Sequence, residues 1–168
     1  VGSGNIPDNI KDRLHMLEEG HKAPGFKLKT DGDGEISLAQ LKGKIAVIYF
    51  YPKDDTPGCT TEAIDFSRLK TKFDKSGAVL VGVSKDSVQK HDSFKRKHDL
   101  KICLASDVEG QMVADYGVWV KKLNYGREYM GIERTTFLVD QKGVIRKIWR
   151  KVRVKDHAEK VLEAVQAL

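Results

Sequence analysis

Residues 44–51 read KIAVIYFY, with no charged position after the lysine. An unbroken run of β-branched and aromatic residues predicts a strand buried on both faces, as in the middle of a helix-covered sheet. GAVLVGVS at 77–84 repeats the pattern and predicts a second core strand. Between the two, Ala63, Phe66, Leu69 and Phe73 recur at three- and four-residue steps, which predicts a helix over 60–75. A second helix is expected over DSVQKHDSFKRKHD, capped by Asp86 or Ser87, with His91 and His98 on a solvated polar face.

FKLKTDGDGEISL reads as a hairpin with glycine-rich turn chemistry; its DGDGE lacks the residue order of a calcium loop. KICLASD predicts a short strand and QMVADYGV a short helix. RTTFLVDQKGVIRKIW predicts a hairpin turning at Gln141-Lys142-Gly143, and KDHAEKVLEAVQAL a closing amphipathic helix. Strands that alternate with helices and end in a hairpin plus helix give an α/β fold with a mixed central β-sheet and helices on both faces.

A chain of 168 residues suits one domain. The opening VGSGNIPDNIKDRLHM reads as an expression-derived leader over 1–15 ahead of a native start at Met16, leaving 16–168 as a single domain. The longest apolar run is far shorter than the ~20 residues that span a bilayer, so no membrane partner is expected. Two cysteines do not make a disulfide scaffold, and their scarcity favours a reducing, cytoplasmic setting. The net charge of +6 draws on RKIWRKVRVK at 146–155, where basic and apolar residues interleave as on a strand with one wet face. A nucleic-acid partner is not expected from that alone. His91 and His98 have no further ligands to complete a metal site.

The candidate chemistry lies in YPKDDTPGCTTEA, where a buried strand, a short loop, Cys59 and a helix follow in order. That order delivers the thiol to the first turn of a helix, where unpaired N–H groups and the helix dipole favour a thiolate. The helix-start position also predicts an accessible sulfur. Moving a thiol pKa from ~8.5 to ~6 takes about 3.4 kcal/mol, and a helix terminus supplies at most ~2 kcal/mol. A second group must contribute, either a hydroxyl hydrogen bond from Thr56 or the charge of a distant arginine.

Pro52, Thr56 and Cys59 form the pattern P-x-x-x-T-x-x-C, which resembles the peroxidatic motif of peroxiredoxins. FYPKDDTPGCTTEA, GVSKDSVQKHDSFKRKH, LASDVEGQMVADYGVW and YMGIERTTFLVDQKGVI follow in the order seen in the bacterioferritin comigratory protein, or peroxiredoxin Q, branch. The resemblance runs from about residue 20 to the end. It implies a thioredoxin-like fold and a thiol-dependent peroxidase that reduces hydrogen peroxide and organic hydroperoxides through a Cys59 sulfenic acid. It also selects Arg134, in a strand before TFL, as the activating cation, and leaves Arg127 without a role. Pro52 would shield the sulfur, and Glu62 would fix Arg134 or the helix start. No metal, flavin or haem is required. A monomer or weak dimer is implied, with thioredoxin, glutaredoxin or a small thiol as reductant.

The chain departs from the branch at Ile64, five residues after Cys59, where many members carry the resolving cysteine. The following helix has none either. Cys103, among apolar neighbours, is the one alternative. The expected cycle therefore uses one cysteine and an external thiol, with resolution by Cys103 as the alternative. Two other classes compete. A dithiol oxidoreductase would need C-x-x-C, which is absent. A non-catalytic DNA-binding or holdase protein on the same fold has only the basic stretch in its favour.

Overall fold

The computed structural model describes residues 16–168; the leader expected over 1–15 lies outside the described residues. The strands are β1 (Lys27–Thr30), β2 (Gly34–Ser37), β3 (Ile45–Phe50), β4 (Ala78–Ser84), β5 (Cys103–Ser106), β6 (Trp119–Asn124), β7 (Arg127–Ile132), β8 (Thr135–Val139) and β9 (Ile145–Trp149). The α-helices are α1 (Pro57–Lys75), α2 (Val88–His98), α3 (Gln111–Asp115) and α4 (His157–Gln166). Seven strands form one sheet in the order β2-β1-β5-β4-β3-β8-β9. β3, β4 and β5 run parallel, while β8 pairs antiparallel with β3 and β1 with β5.

Every residue of β3 is buried, as its unbroken apolar run requires. Its alternate side chains feed two cores. Ile45, Val47, Tyr49 and Tyr51 pack with Cys59, Ala63, Phe66 and Phe73 of α1 and with α4 on one face. Ala46, Ile48 and Phe50 pack with Met112 and Val113 of α3 and with Tyr116 on the other. The architecture is a thioredoxin-like fold, a mixed sheet flanked by helices.

The hairpins β1–β2 and β8–β9 and the closing helix stand where the patterns put them. Ser87, rather than Asp86, caps α2, its hydroxyl accepting from the Lys90 N–H at 3.2 Å. Three expectations change. The basic stretch is a strand only to Trp149 and then a loop, whose Val152 N–H donates to the Arg134 carbonyl at 2.9 Å. The ribbon β6–β7 was not foreseen, because apolar and polar positions do not alternate along it and only the end pair Trp119 and Ile132 reaches the core. Its sign in the sequence is the two-residue turn Tyr125-Gly126, both at positive φ. His91, expected in solvent, is fully buried (0% exposed), since α2 turns it inward one helical turn before Phe94. His98 is half-buried against Asp55.

Candidate active site

β3 ends at Phe50, and Tyr51 extends the pairing with a bond from its N–H to the Val83 carbonyl at 3.1 Å. Five residues later, Thr56 is the N-cap of α1 in extended conformation and Pro57 takes the first helical position, where a missing N–H costs nothing. Helix bonding begins with the Thr60 N–H on the Thr56 carbonyl at 2.8 Å. Among the described residues the N–H groups of Gly58 and Cys59, in the first turn, have no backbone acceptor. The helix thus starts three residues before the expected 60, and Cys59 lies within its first turn.

Cys59 is 2% exposed, which overturns the expectation of an accessible thiol. The reason is helical geometry. Cys59, Ala63 and Phe66 stand at i, i+4 and i+7, so they share the stripe that α1 presses onto β3.

Arg134 occupies the short link between β7 and β8, not a strand as expected. Its Nη2 donates to Cys59 Sγ at 3.4 Å, and its Nη1 donates to Glu62 Oε1 at 2.7 Å. Glu62 is 1% exposed, one turn along α1 from the thiol. Burial pushes its carboxyl from 4.5 up to about 7, against the opposing pull of Arg134. Gly58 makes room for this arrangement, since a Cβ there would stand 3.1 Å from Arg134 Nη2. One nitrogen of the guanidinium fork therefore reaches the buried sulfur while the other is held by Glu62.

The other expected residues fall out unevenly. Thr56 does not donate to the sulfur, because its hydroxyl donates to the Lys53 carbonyl at 2.8 Å. Pro52 is half-buried at the foot of the loop. Arg127 is exposed at the ribbon tip. Cys103 opens β5 and packs on the α3 side of the sheet, opposite Cys59, and both cysteines are free. Burial, with Asp31 nearby, pushes the Cys103 thiol up to about 11. Lys122 of β6 was not anticipated. Its ammonium is pushed below its ordinary value by burial first and then by the charge of Arg134.

The AhpC/TSA family model matches residues 20–148. The chain is 51% identical over 152 residues to the peroxiredoxin Bcp of Bacillus subtilis, a match covering 90% of this chain and 95% of that one. The chain is a peroxiredoxin of the Bcp/PrxQ branch. As such it is a thiol-dependent peroxidase. The alkyl-peroxide-reducing bacterioferritin comigratory protein of Xanthomonas campestris superposes with a TM-score of 0.81 at 44% identity, covering 84% of this peroxiredoxin and 90% of that chain. A cysteine-to-serine mutant of PrxQ from Xylella fastidiosa superposes at 0.86 with 35% identity, over 90% and 96% of the two chains. Among the described residues no helix of this peroxiredoxin is long and apolar enough to cross a membrane.

Proposed function

We propose that Cys59 is the peroxidatic thiol of a one-cysteine cycle acting on hydrogen peroxide and organic hydroperoxides. The observation that carries this reading is the Arg134 fork, with one nitrogen on Cys59 Sγ and the other on buried Glu62. The Cys59 thiolate attacks the terminal peroxide oxygen. An S–O bond forms, the O–O bond breaks, and sulfur gives up two electrons to the peroxide. The hydroxyl proton passes to the departing alkoxide, so that a sulfenate and an alcohol, or water, result. Arg134 and the free N–H groups of Gly58 and Cys59 hold the charge as it moves between the oxygens. Thr56 Oγ1, its own proton committed to Lys53, serves as acceptor for the peroxide O–H. Pro52 walls the sulfur from water.

Recovery needs an external thiol, such as thioredoxin, glutaredoxin or a small thiol. The sulfenate first takes a proton from solvent; the thiol sulfur then bonds to Cys59 Sγ, the S–O bond breaks and water leaves with the thiol's proton, and a second thiol releases Cys59 and carries off the disulfide. Ile64 at the position of the usual resolving cysteine, and Cys103 on the far side of the sheet, support this route. Two free thiols suit a reducing cytoplasm. The site is assembled within one chain, which suits a monomer or weak dimer, and residues 16–168 act as the single domain that carries it.

The test is stopped-flow oxidation of wild type and Cys59→Ser by hydrogen peroxide and an organic hydroperoxide, followed by intact mass after one equivalent. Fast oxidation that depends on Cys59, with a gain of one oxygen atom, is expected. Slow oxidation, or a mass loss marking a Cys59–Cys103 disulfide, would overturn the reading.

A further inference from the structure

The two ends of β3 stand at different sites. In the antiparallel pairing of β3 with β8, Phe50 meets Thr135, next to Arg134, and Ala46 meets Val139. The strand rises about 13 Å between those pairs. At the Ala46–Val139 end lies a cavity of about 420 Å³, within the ~300–1,000 Å³ usual for ligand sites. Ala46 belongs to the core on the α3 side of the sheet, whereas Cys59 belongs to the core on the other side. The cavity is thus set apart from the peroxidatic sulfur by both end and face, and no step of the peroxidase cycle uses it.

Backbone bonds tie its walls together. The Ala23 N–H donates to the Gly143 carbonyl at 2.9 Å, the Gly43 N–H to the Gln141 carbonyl at 2.9 Å and the Leu38 N–H to the Phe26 carbonyl at 3.1 Å. They join the segment before β1, the connection from β2 to β3 and the turn from β8 to β9. A site held this way is preformed, so little binding energy is lost in ordering it. Phe26, Leu38, Leu41, Ala46 and Val139 give it an apolar lining. Four exposed lysines, Lys22, Lys42, Lys44 and Lys142, line it as well. Lys27 and Lys95 elsewhere pair with carboxylates at 3.5 and 2.7 Å, but none of these four has such a partner among the described residues. Asp140, the one carboxylate in the lining, is already engaged. Its Oδ1 accepts from the Lys142 and Val144 N–H groups at 2.9 and 3.0 Å, and its Oδ2 accepts from Arg146 at 3.4 Å.

Apolar walls beside unpaired cations suit an anion with a hydrocarbon body. A small polar anion would leave the walls in water, and a neutral hydrocarbon would leave the ammonium groups without a counter-charge. Lysine stems lie along apolar surface while their charged ends stay in water, which puts the cations at the mouth. We infer that this cavity binds a long-chain carboxylate, with its alkyl chain against Phe26, Leu38, Leu41 and Val139 and its carboxylate among the lysines. The site is independent of the role given to Cys59.

The test is calorimetric titration of the full chain with dodecanoate below its micelle concentration, with amide shifts mapped by NMR. Saturable binding at one site is expected, with shifts gathered at 22–26, 38–46 and 139–143. Decanoate, shorter by two methylenes, should bind on the order of tenfold more weakly. Dodecyltrimethylammonium, with the opposite charge, should not bind there. Lys42→Ala/Lys44→Ala/Lys142→Ala should weaken dodecanoate binding several-fold, with the largest difference at low salt. Ala39→Trp, which fills the cavity from its exposed wall, should abolish it. If Ala39→Trp does not fold, the lysine variant decides, since its changes are all on exposed side chains. Oxidation of Cys59 by hydrogen peroxide should keep its rate with dodecanoate bound. Equal affinity in the lysine variant, shifts scattered over the surface, or slowed Cys59 oxidation would overturn the site. So would binding to phosphatidylglycerol vesicles without binding of free dodecanoate, which would make the lysines a membrane-contact patch.

Discussion

Arg134 holds Cys59 and Glu62 at once, through Nη2 at 3.4 Å and Nη1 at 2.7 Å. The guanidinium thus spans a thiol and a carboxyl one helical turn apart, a geometry that a planar fork can satisfy and a point charge cannot. Arg134→Lys should lower kcat/KM for hydrogen peroxide by about 100-fold, the scale of losing an oriented charge donor. Stopped-flow oxidation checks this. An effect below about threefold would show that charge without orientation suffices.

Gly58 separates activity from stability. Alanine is intrinsically a better helix former than glycine. Its Cβ would nevertheless meet Arg134 Nη2 at 3.1 Å and push the guanidinium off the sulfur. Gly58→Ala should keep or raise the urea midpoint while oxidation slows by about tenfold. Equal losses in both measurements would contradict the role given to this contact.

Two buried groups should tilt the pH dependence of stability in opposite directions. Burial raises the Glu62 carboxyl from 4.5 to about 7, so between those values the folded chain holds a proton that the unfolded chain has lost. Its contribution is full below pH 4.5 and is lost as pH rises to about 7, by about 3 kcal/mol in all. Burial, with Lys160 and Arg134 nearby, lowers His157 from 6.5 to about 4, so the unfolded chain holds the extra proton there and stability rises with pH. The two slopes oppose each other between pH 4.5 and 6.5. Urea titrations should find Glu62→Gln gaining stability with rising pH in that window and His157→Gln losing it. Parallel profiles for the two variants would be the contrary result.

Cys103 should be inert. With its thiol pushed up to about 11, it is thiolate in about one molecule in ten thousand at pH 7. Iodoacetamide should label Cys59 well ahead of Cys103, and Cys103→Ser should turn over peroxide with dithiothreitol at the wild-type rate. A variant that oxidises once and then stalls would make Cys103 the resolving residue.

Much of the site could be read along the chain because its parts are adjacent there. A strand, a loop, Pro57 at the first helical position and Cys59 within the first turn are local facts, expressed through backbone preferences that neighbouring residues set. Burial of Cys59 was also legible, in its spacing from Ala63 and Phe66, but the helix-start position pointed the other way. The ribbon β6–β7 was missed because hydrophobic alternation marks only strands with a buried face.

Local pattern sufficed for the order of elements, the two-faced core strands and the thiol at a helix start, since propensity, capping and apolar periodicity act over a few residues. Tertiary packing alone decided which groups meet the thiol. Arg134 lies 75 positions from Cys59 and His91 lies 37 from Asp54. A polar helix face gives no sign that one histidine will be turned inward to a carboxyl and a carbonyl. Packing likewise put Cys103 on the opposite face of the sheet from Cys59. Hydrogen-bond partners and sheet faces depend on which strands pair, and that pairing joins residues far apart in the chain.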